Sequence, residues 1–163
     1  MKFGKSLRSE IAETLPEWKG EFISYKELKK QLKLIAHEEE EGMIDFIQLL
    51  DNELEKVNTF FIDKEEEYII RIRDRVANME SSEDMTRVKL DILEFHGEMV
   101  LLLHYSVINF AGLLKIVKKH NKKTGTVIWL PFMPKVLQQP FFTSDLICKL
   151  VKECEVMLNQ LFL

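Results

Sequence analysis

Apolar residues recur along this chain at steps of three and four, with no stretch of firm alternation, so the pattern is helical throughout. Met43, Phe46, Ile47, Leu50, Leu54, Val57, Phe61, Tyr68 and Ile72 lie on one stripe, with Lys64 interrupting it. Residues 43–76 are therefore expected to form a helix of roughly 50 Å. Ser81-Ser82 breaks the pattern, and Glu83 and Asp84 suit the start of the next helix. That helix carries Met85, Val88, Ile92, Phe95, Met99 and Leu102 on its buried stripe. After Leu102 the steps become four and four through Ser106 to Phe110, a stutter in the repeat. Thr124-Gly125 is the expected C-cap. Two long helices with a short break predict an antiparallel hairpin over residues 42–124.

Shorter helices flank it. A first helix over about Lys2 to Thr14 stops before Pro16, which disfavours helix at Leu15. Ser24-Tyr-Lys-Glu27 fits a capping box, with Ser24 as N-cap and Glu27 reaching back. A second helix then runs to Ile35 and buries Leu28, Leu32 and Ile35, giving an N-terminal hairpin over residues 1–36. The acidic run Glu38–Glu41 with Gly42 is a linker or a helix start. In the tail, Pro131, Pro134 and Pro140 leave room for at most one short helix, between Pro134 and Gln139. Thr143-Ser-Asp145 caps a final helix, so the C-terminal helices occupy residues 131–163. The fold class is all-α, one domain over residues 1–163.

Composition agrees and narrows the function. Six Gly and four Pro in 163 residues leave little material for turns. No apolar run is expected to span a membrane, and the N-terminus lacks a signal core or a myristoylation glycine. A cytosolic or nuclear protein is expected. Cys148 and Cys154, six apart on one helix, point to different sides and pack as free thiols. His37, His96, His104 and His120 are scattered, without metal-ligand spacing. No phosphate loop, nucleophile elbow or zinc-protease motif is present, so no catalytic residue and no metal ligand is assigned.

The net charge of −4 makes the one lysine concentration a local arrangement. It also fits poorly with non-specific nucleic-acid binding, which draws on a broad basic field. Lys115, Lys118, Lys119 and Lys122 fall at i, i+3, i+4 and i+7 and share one helix stripe. Like charges so placed cost roughly 0.2–0.5 kcal/mol per adjacent pair. A solvated face near a helix C-terminus tolerates that cost. A polyvalent anion would turn it into charge-assisted hydrogen bonds. Tyr25 and Lys29, four apart on the second helix with Lys26, Lys30 and Lys33 around them, offer a phenol beside an ammonium group. Alone, Tyr25 is more often a half-buried packing residue.

These residues also carry a family resemblance. Met1-Lys-Phe-Gly-Lys5, Leu15-Pro-Glu-Trp18 and Ser24-Tyr-Lys-Glu-Leu-Lys-Lys30 resemble the N-terminal block of the SPX domain. Phe95-His-Gly-Glu-Met-Val100, Asn109-Phe-Ala-Gly-Leu-Leu-Lys-Ile-Val-Lys-Lys119 and Leu137-Gln-Gln-Pro-Phe-Phe142 resemble its later blocks, in order. The likeness is strongest to the plant stand-alone SPX proteins. It implies a three-part helical bundle and a phosphate sensor that binds inositol polyphosphates and pyrophosphates as regulatory ligands, without a cofactor. It implies a phosphate-binding cluster of Tyr25, Lys29 and Lys119, a neighbouring lysine cluster of Lys115, Lys118 and Lys122, and a further contact at Lys2. It also implies a partner, a MYB-type coiled-coil phosphate-starvation transcription factor held off its DNA, and a place in nucleus and cytoplasm. A phosphoinositide-reading membrane adaptor and a regulatory module of a transporter or polyphosphate polymerase are the alternatives. The long hairpin can also pair with itself as a homodimer. Two departures stand out: His120-Asn121 replaces an aromatic and an acid, implying a slightly altered affinity. The segment from Ile35 to Met43 is short, which implies a changed fold-back of the N-terminal hairpin.

Overall fold

The computed structural model describes residues 3–35, 40–77, 85–125 and 127–162, without the side chains of residues 40, 41, 43, 129 and 130. The expectations for Lys2, for the start of the acidic run at Glu38, and for the break at Ser81-Ser82 with Glu83 and Asp84 lie outside these residues. Described residues are helical and contain no strand. Two long helices, α3 (Glu40–Ala77) and α4 (Met85–Thr124), form the expected antiparallel hairpin, tied by Arg71 to Glu98 at 3.0 Å and Arg75 to Asp91 at 2.7 Å. Phe46, Leu50, Val57, Phe61 and Tyr68 of α3 and Val88, Ile92, Met99 and Leu102 of α4 are core residues, all at or below 2% exposure. The polar member of the α3 stripe is Glu65, 6% exposed, and not Lys64. Lys64 instead reaches Glu67 at 2.9 Å and lies 5.9 Å from the Trp18 and Phe60 ring centres. Between Phe61 and Tyr68 a step of four then three keeps the stripe facing inward, so the carboxylate takes the buried place.

The stutter beyond Leu102 has a structural meaning. Buried positions on α4 broaden to Tyr105, Ser106, Ile108, Asn109, Gly112 and Leu113, because the N-terminal segment covers a second side of the helix. That segment is α1 (Phe3–Ala12), a 3-10 turn (Pro16–Glu21) and α2 (Tyr25–Leu34). Trp18, Phe22 and Phe60 pack around Tyr105 at 4.8–6.3 Å, and the Tyr105 hydroxyl donates to the Glu21 carbonyl at 2.7 Å. The capping box at Ser24 does not form, since its side chain makes no cap bond. The Ser24 N–H donates to Glu53 on α3 at 3.2 Å and its hydroxyl accepts from Lys56 at 3.1 Å, so tertiary partners displace the local one.

The tail is more helical than expected. α5 (Trp129–Leu137) runs through Pro134, and α6 (Pro140–Thr143) follows it. Pro131 lies in the first turn, where an N–H has no intrahelical partner, but Pro134 forfeits a bond. Burial of Phe132, Met133 and Val136 offsets that loss. Asn58 accepts from the Phe141 N–H at 3.2 Å, and the Ser106 hydroxyl donates to the Phe141 carbonyl. α7 (Asp145–Phe162) starts where expected and packs along α4; Cys154 is buried, but Cys148, expected to pack as a small hydrophobe as well, is exposed. The expected C-cap at Gly125 is present, with φ of 72° and its N–H on the Asn121 carbonyl at 3.0 Å. Against expectation, an 18-residue stretch of α4 is long and apolar enough to cross a bilayer by length and composition; half of it is buried inside the bundle.

Candidate functional site

α1, α2 and the C-terminal half of α4 meet at one corner. Two residues make that approach. Asn109 is fully buried; its Oδ1 accepts from the Ile23 N–H at 2.7 Å and its Nδ2 donates to the Tyr105 carbonyl at 2.7 Å. Gly112 lies one turn beyond, and a Cβ there would stand 2.8 Å from Ile23 Cγ2. No side chain fits that gap without displacing the Ile23 side chain, two residues before Tyr25. Sequence reasoning assigned neither residue a role. A glycine inside an apolar helix costs about 1 kcal/mol against alanine, and that cost was the available signal.

Closure of the corner sets Tyr25 against α4. Phe3 of α1 meets the Tyr25 ring edge-on at 5.0 Å. Above this pair stand two lysines one turn apart: Lys119 Nζ lies 5.9 Å from the Tyr25 ring centre and Lys115 Nζ 5.7 Å from that of Phe3. Cation–π contacts at this reach are worth about 0.5–1 kcal/mol, enough to lean each ammonium inward while leaving its donors to solvent. Lys118 and Lys122 are exposed on the same stripe, and Lys29 is half-buried one turn along α2, with Lys26, Lys30 and Lys33 exposed beside it. None of Lys115, Lys118, Lys119 and Lys122 has a carboxylate partner among the described residues. Lys2 lies outside them.

Tyr25 is more deeply buried than the half-buried packing residue the sequence suggests. It is 4% exposed, and its hydroxyl is buried with no hydrogen-bond partner among the described residues. Burial raises its pKa, so the phenol stays protonated and able to donate. An anion reaches that hydroxyl only when the side chains covering it move aside. A cleft of about 290 Å³ opens beside it, between α1 and α2, past Gly4, Arg8, Ser24 and Lys26. His120 is not part of this face: it is fully buried and stacks on Phe46 at 5.0 Å. Asn121 Oδ1 accepts from the Ile128 N–H at 3.1 Å, so the departure at His120-Asn121 changes packing behind the lysines. His96 pairs with Glu155 at 3.2 Å, and no group of metal-ligating side chains occurs among the described residues.

Such a corner can bind a compact, multiply charged anion: ammonium groups from two helices spread over about 10 Å, with a neutral donor beneath. A family model described as the SPX domain matches residues 1–42. SPX domain-containing protein 1 of Arabidopsis thaliana is 54% identical, over 99% of this chain and 72% of the relative. SPX domain-containing protein 1 of Oryza sativa subsp. japonica is 52% identical, over 99% and 65%. The chain thus spans about two thirds of the length of such relatives. Among solved structures, the SPX domain of the Chaetomium thermophilum glycerophosphodiester phosphodiesterase 1, in complex with inositol hexakisphosphate, superposes with a TM-score of 0.81 at 28% identity, over 99% of each chain.

Proposed function

The chain belongs to the SPX domain family, and on that premise we propose that its basic corner binds inositol polyphosphates or pyrophosphates and thereby reports cellular phosphate to a protein partner. The observation that carries this reading is the convergence of Lys115 and Lys119 over the Phe3–Tyr25 pair, where three helices meet and no carboxylate among the described residues neutralises the two ammonium groups. A ring bearing several phosphates engages Lys119, Lys29 and Tyr25 together while Lys115, Lys118 and Lys122 hold its outer edge; Lys2 adds a further contact. A structural relative bound to inositol hexakisphosphate supports the ligand class. Each charge-assisted bond contributes about 1.5–3 kcal/mol, less at an exposed site, so affinity rests on the number of phosphates engaged at once.

The ligand ties α1 and α2 to α4, and a partner that docks across that joint then meets one fixed surface. The partner we assign is the coiled-coil region of a MYB-type phosphate-starvation transcription factor, sequestered in nucleus and cytoplasm; the chain acts as a binding module and not as an enzyme. Isothermal calorimetry tests the ligand: inositol hexakisphosphate should bind and orthophosphate far more weakly, whereas equal affinity for the two overturns the reading. Linkage tests the gating, because a ligand that strengthens partner binding must itself be bound more tightly by the same factor in the presence of the partner.

A further inference from the structure

α3 and α7 part at the end of the bundle far from the lysine corner, leaving an open trough of about 680 Å³ between them. Arg71 and Arg75 pair with Glu98 and Asp91, while Glu155 and Phe162 meet His96 and Lys89. Both helices therefore run antiparallel to α4, and the trough stands beside its first half. From His96 to Lys115 along α4 is roughly 30 Å. The trough has an apolar lining: Ile72 is buried, Val76 is 47% exposed and Val156 55%, with Ala77 and Met157 beside them. A lone exposed valine needs no explanation. Valines from two helices that line one concavity make a receptor surface.

The rest of the lining is charged and unbalanced. Arg73 stands on the α3 wall, Lys149 and Lys152 one turn apart on the α7 wall, and Glu153 is the one acid among the described lining residues. The three cations are exposed, and none has a carboxylate partner among the described residues. In a chain of net charge −4 that rim is a local arrangement, which favours an acidic occupant and repels a basic one. Shape narrows the occupant further. A small ligand is ordinarily buried over about 70–90% of its surface, which an open trough does not provide. A helix laid lengthwise would touch both walls with apolar anchors a turn apart, and would complete a four-helix arrangement with α3, α4 and α7. Lys149 and Lys152 precede Val156 and Met157, as Arg73 precedes Val76 and Ala77, so the cations gather toward one end. The negative end of a helix dipole belongs there, which sets the occupant antiparallel to α3 and α7.

We propose that this trough receives an amphipathic helix of a partner protein, one whose apolar stripe is flanked by carboxylates. The surface is separate from the anion-binding corner, so its failure leaves the ligand reading untouched. The probe is a fluorescein-labelled synthetic helix of about 18 residues, roughly 27 Å long, with a leucine stripe flanked by glutamates. Its control carries lysine in place of every glutamate. In fluorescence anisotropy with the full chain, the acidic peptide should bind at least about tenfold more tightly than the control. Val76→Asn/Val156→Asn changes no charge and alters only exposed side chains; it should weaken the acidic peptide about tenfold at an unchanged melting temperature. Lys149→Glu/Lys152→Glu should reverse the preference between the two peptides, and Lys119→Ala should leave it as it is. Equal binding of the two peptides, or a preference that survives Lys149→Glu/Lys152→Glu, overturns the proposal. Binding of vesicles containing anionic lipid, lost in Val76→Asn/Val156→Asn while neither peptide binds, overturns it in favour of a membrane surface. A dimer in sedimentation velocity that the same variant abolishes, again without peptide binding, overturns it in favour of a second copy.

Discussion

Glu65 and His120 are buried ionisable side chains inside a helical core, and they bend the stability of the protein with pH in opposite directions. Burial, with Glu66 adding to it, pushes the Glu65 carboxyl from 4.5 up to about 7. The folded state therefore holds a proton that the unfolded chain has released, and stability falls as pH rises from about 4.5 to about 7. Glu65→Gln should remove that fall; at 1.36 kcal/mol per unit the gain above neutrality is at most about 3 kcal/mol. Burial lowers the His120 pKa, so the unfolded chain takes up its proton first and stability is lost as pH drops below 6.5. His120→Phe, which keeps a ring on Phe46, should flatten that acid limb. Urea denaturation of both variants from pH 4.5 to 8 checks the two signs, and a wild-type slope retained by either variant contradicts its assignment. At this scale the sequence was only partly legible. Lys64 and Glu65 are adjacent and equally polar, and the choice between them depends on whether the stripe steps by three or by four.

Two mid-helix glycines on α4 separate what an element tolerates from what its neighbours demand. Gly97 stands open, so Gly97→Ala should stabilise the fold by up to about 1 kcal/mol. Gly112 lies under Ile23, and Gly112→Ala would push against the Ile23 side chain, which links α4 to the segment leading to Tyr25. That should cost about 1–3 kcal/mol and also weaken inositol hexakisphosphate binding, because Tyr25 moves away from Lys119. Chemical denaturation and calorimetry on the two variants check the contrast; equal shifts would show that the approach at Gly112 does not build the corner. Helix spacing made α3, α4 and α7 legible, since each buries a regular stripe over many turns. The tail was not, because Pro134 argued locally for a break that burial of Phe132 and Val136 overrides. Ser24 failed as a cap for a related reason: Glu53 and Lys56 on α3 compete for its groups.

At the scale of the whole molecule, an acidic protein of net charge −4 gathers lysines at one corner where three helices meet. The lysine stripe was legible from spacing alone, but its apposition to Phe3 and Tyr25 was not, because it depends on contacts between residues some ninety or more positions apart in the chain. Binding through exposed charge should weaken steeply with salt, so calorimetry at rising ionic strength should show a falling affinity. A ligand bridging α2 and α4 should also raise the melting temperature with its concentration. The most direct test of the account is a calorimetric titration of inositol hexakisphosphate into wild type, Lys119→Ala and Lys89→Ala. Lys119→Ala should bind about tenfold more weakly or worse, equivalent to at least about 1.4 kcal/mol. Lys89, whose ammonium lies against Phe162 at the opposite end of α4, should be replaceable without effect on affinity. Equal affinities for the two variants would mean that the lysine stripe is only a solvated face and that the ligand does not engage Lys119.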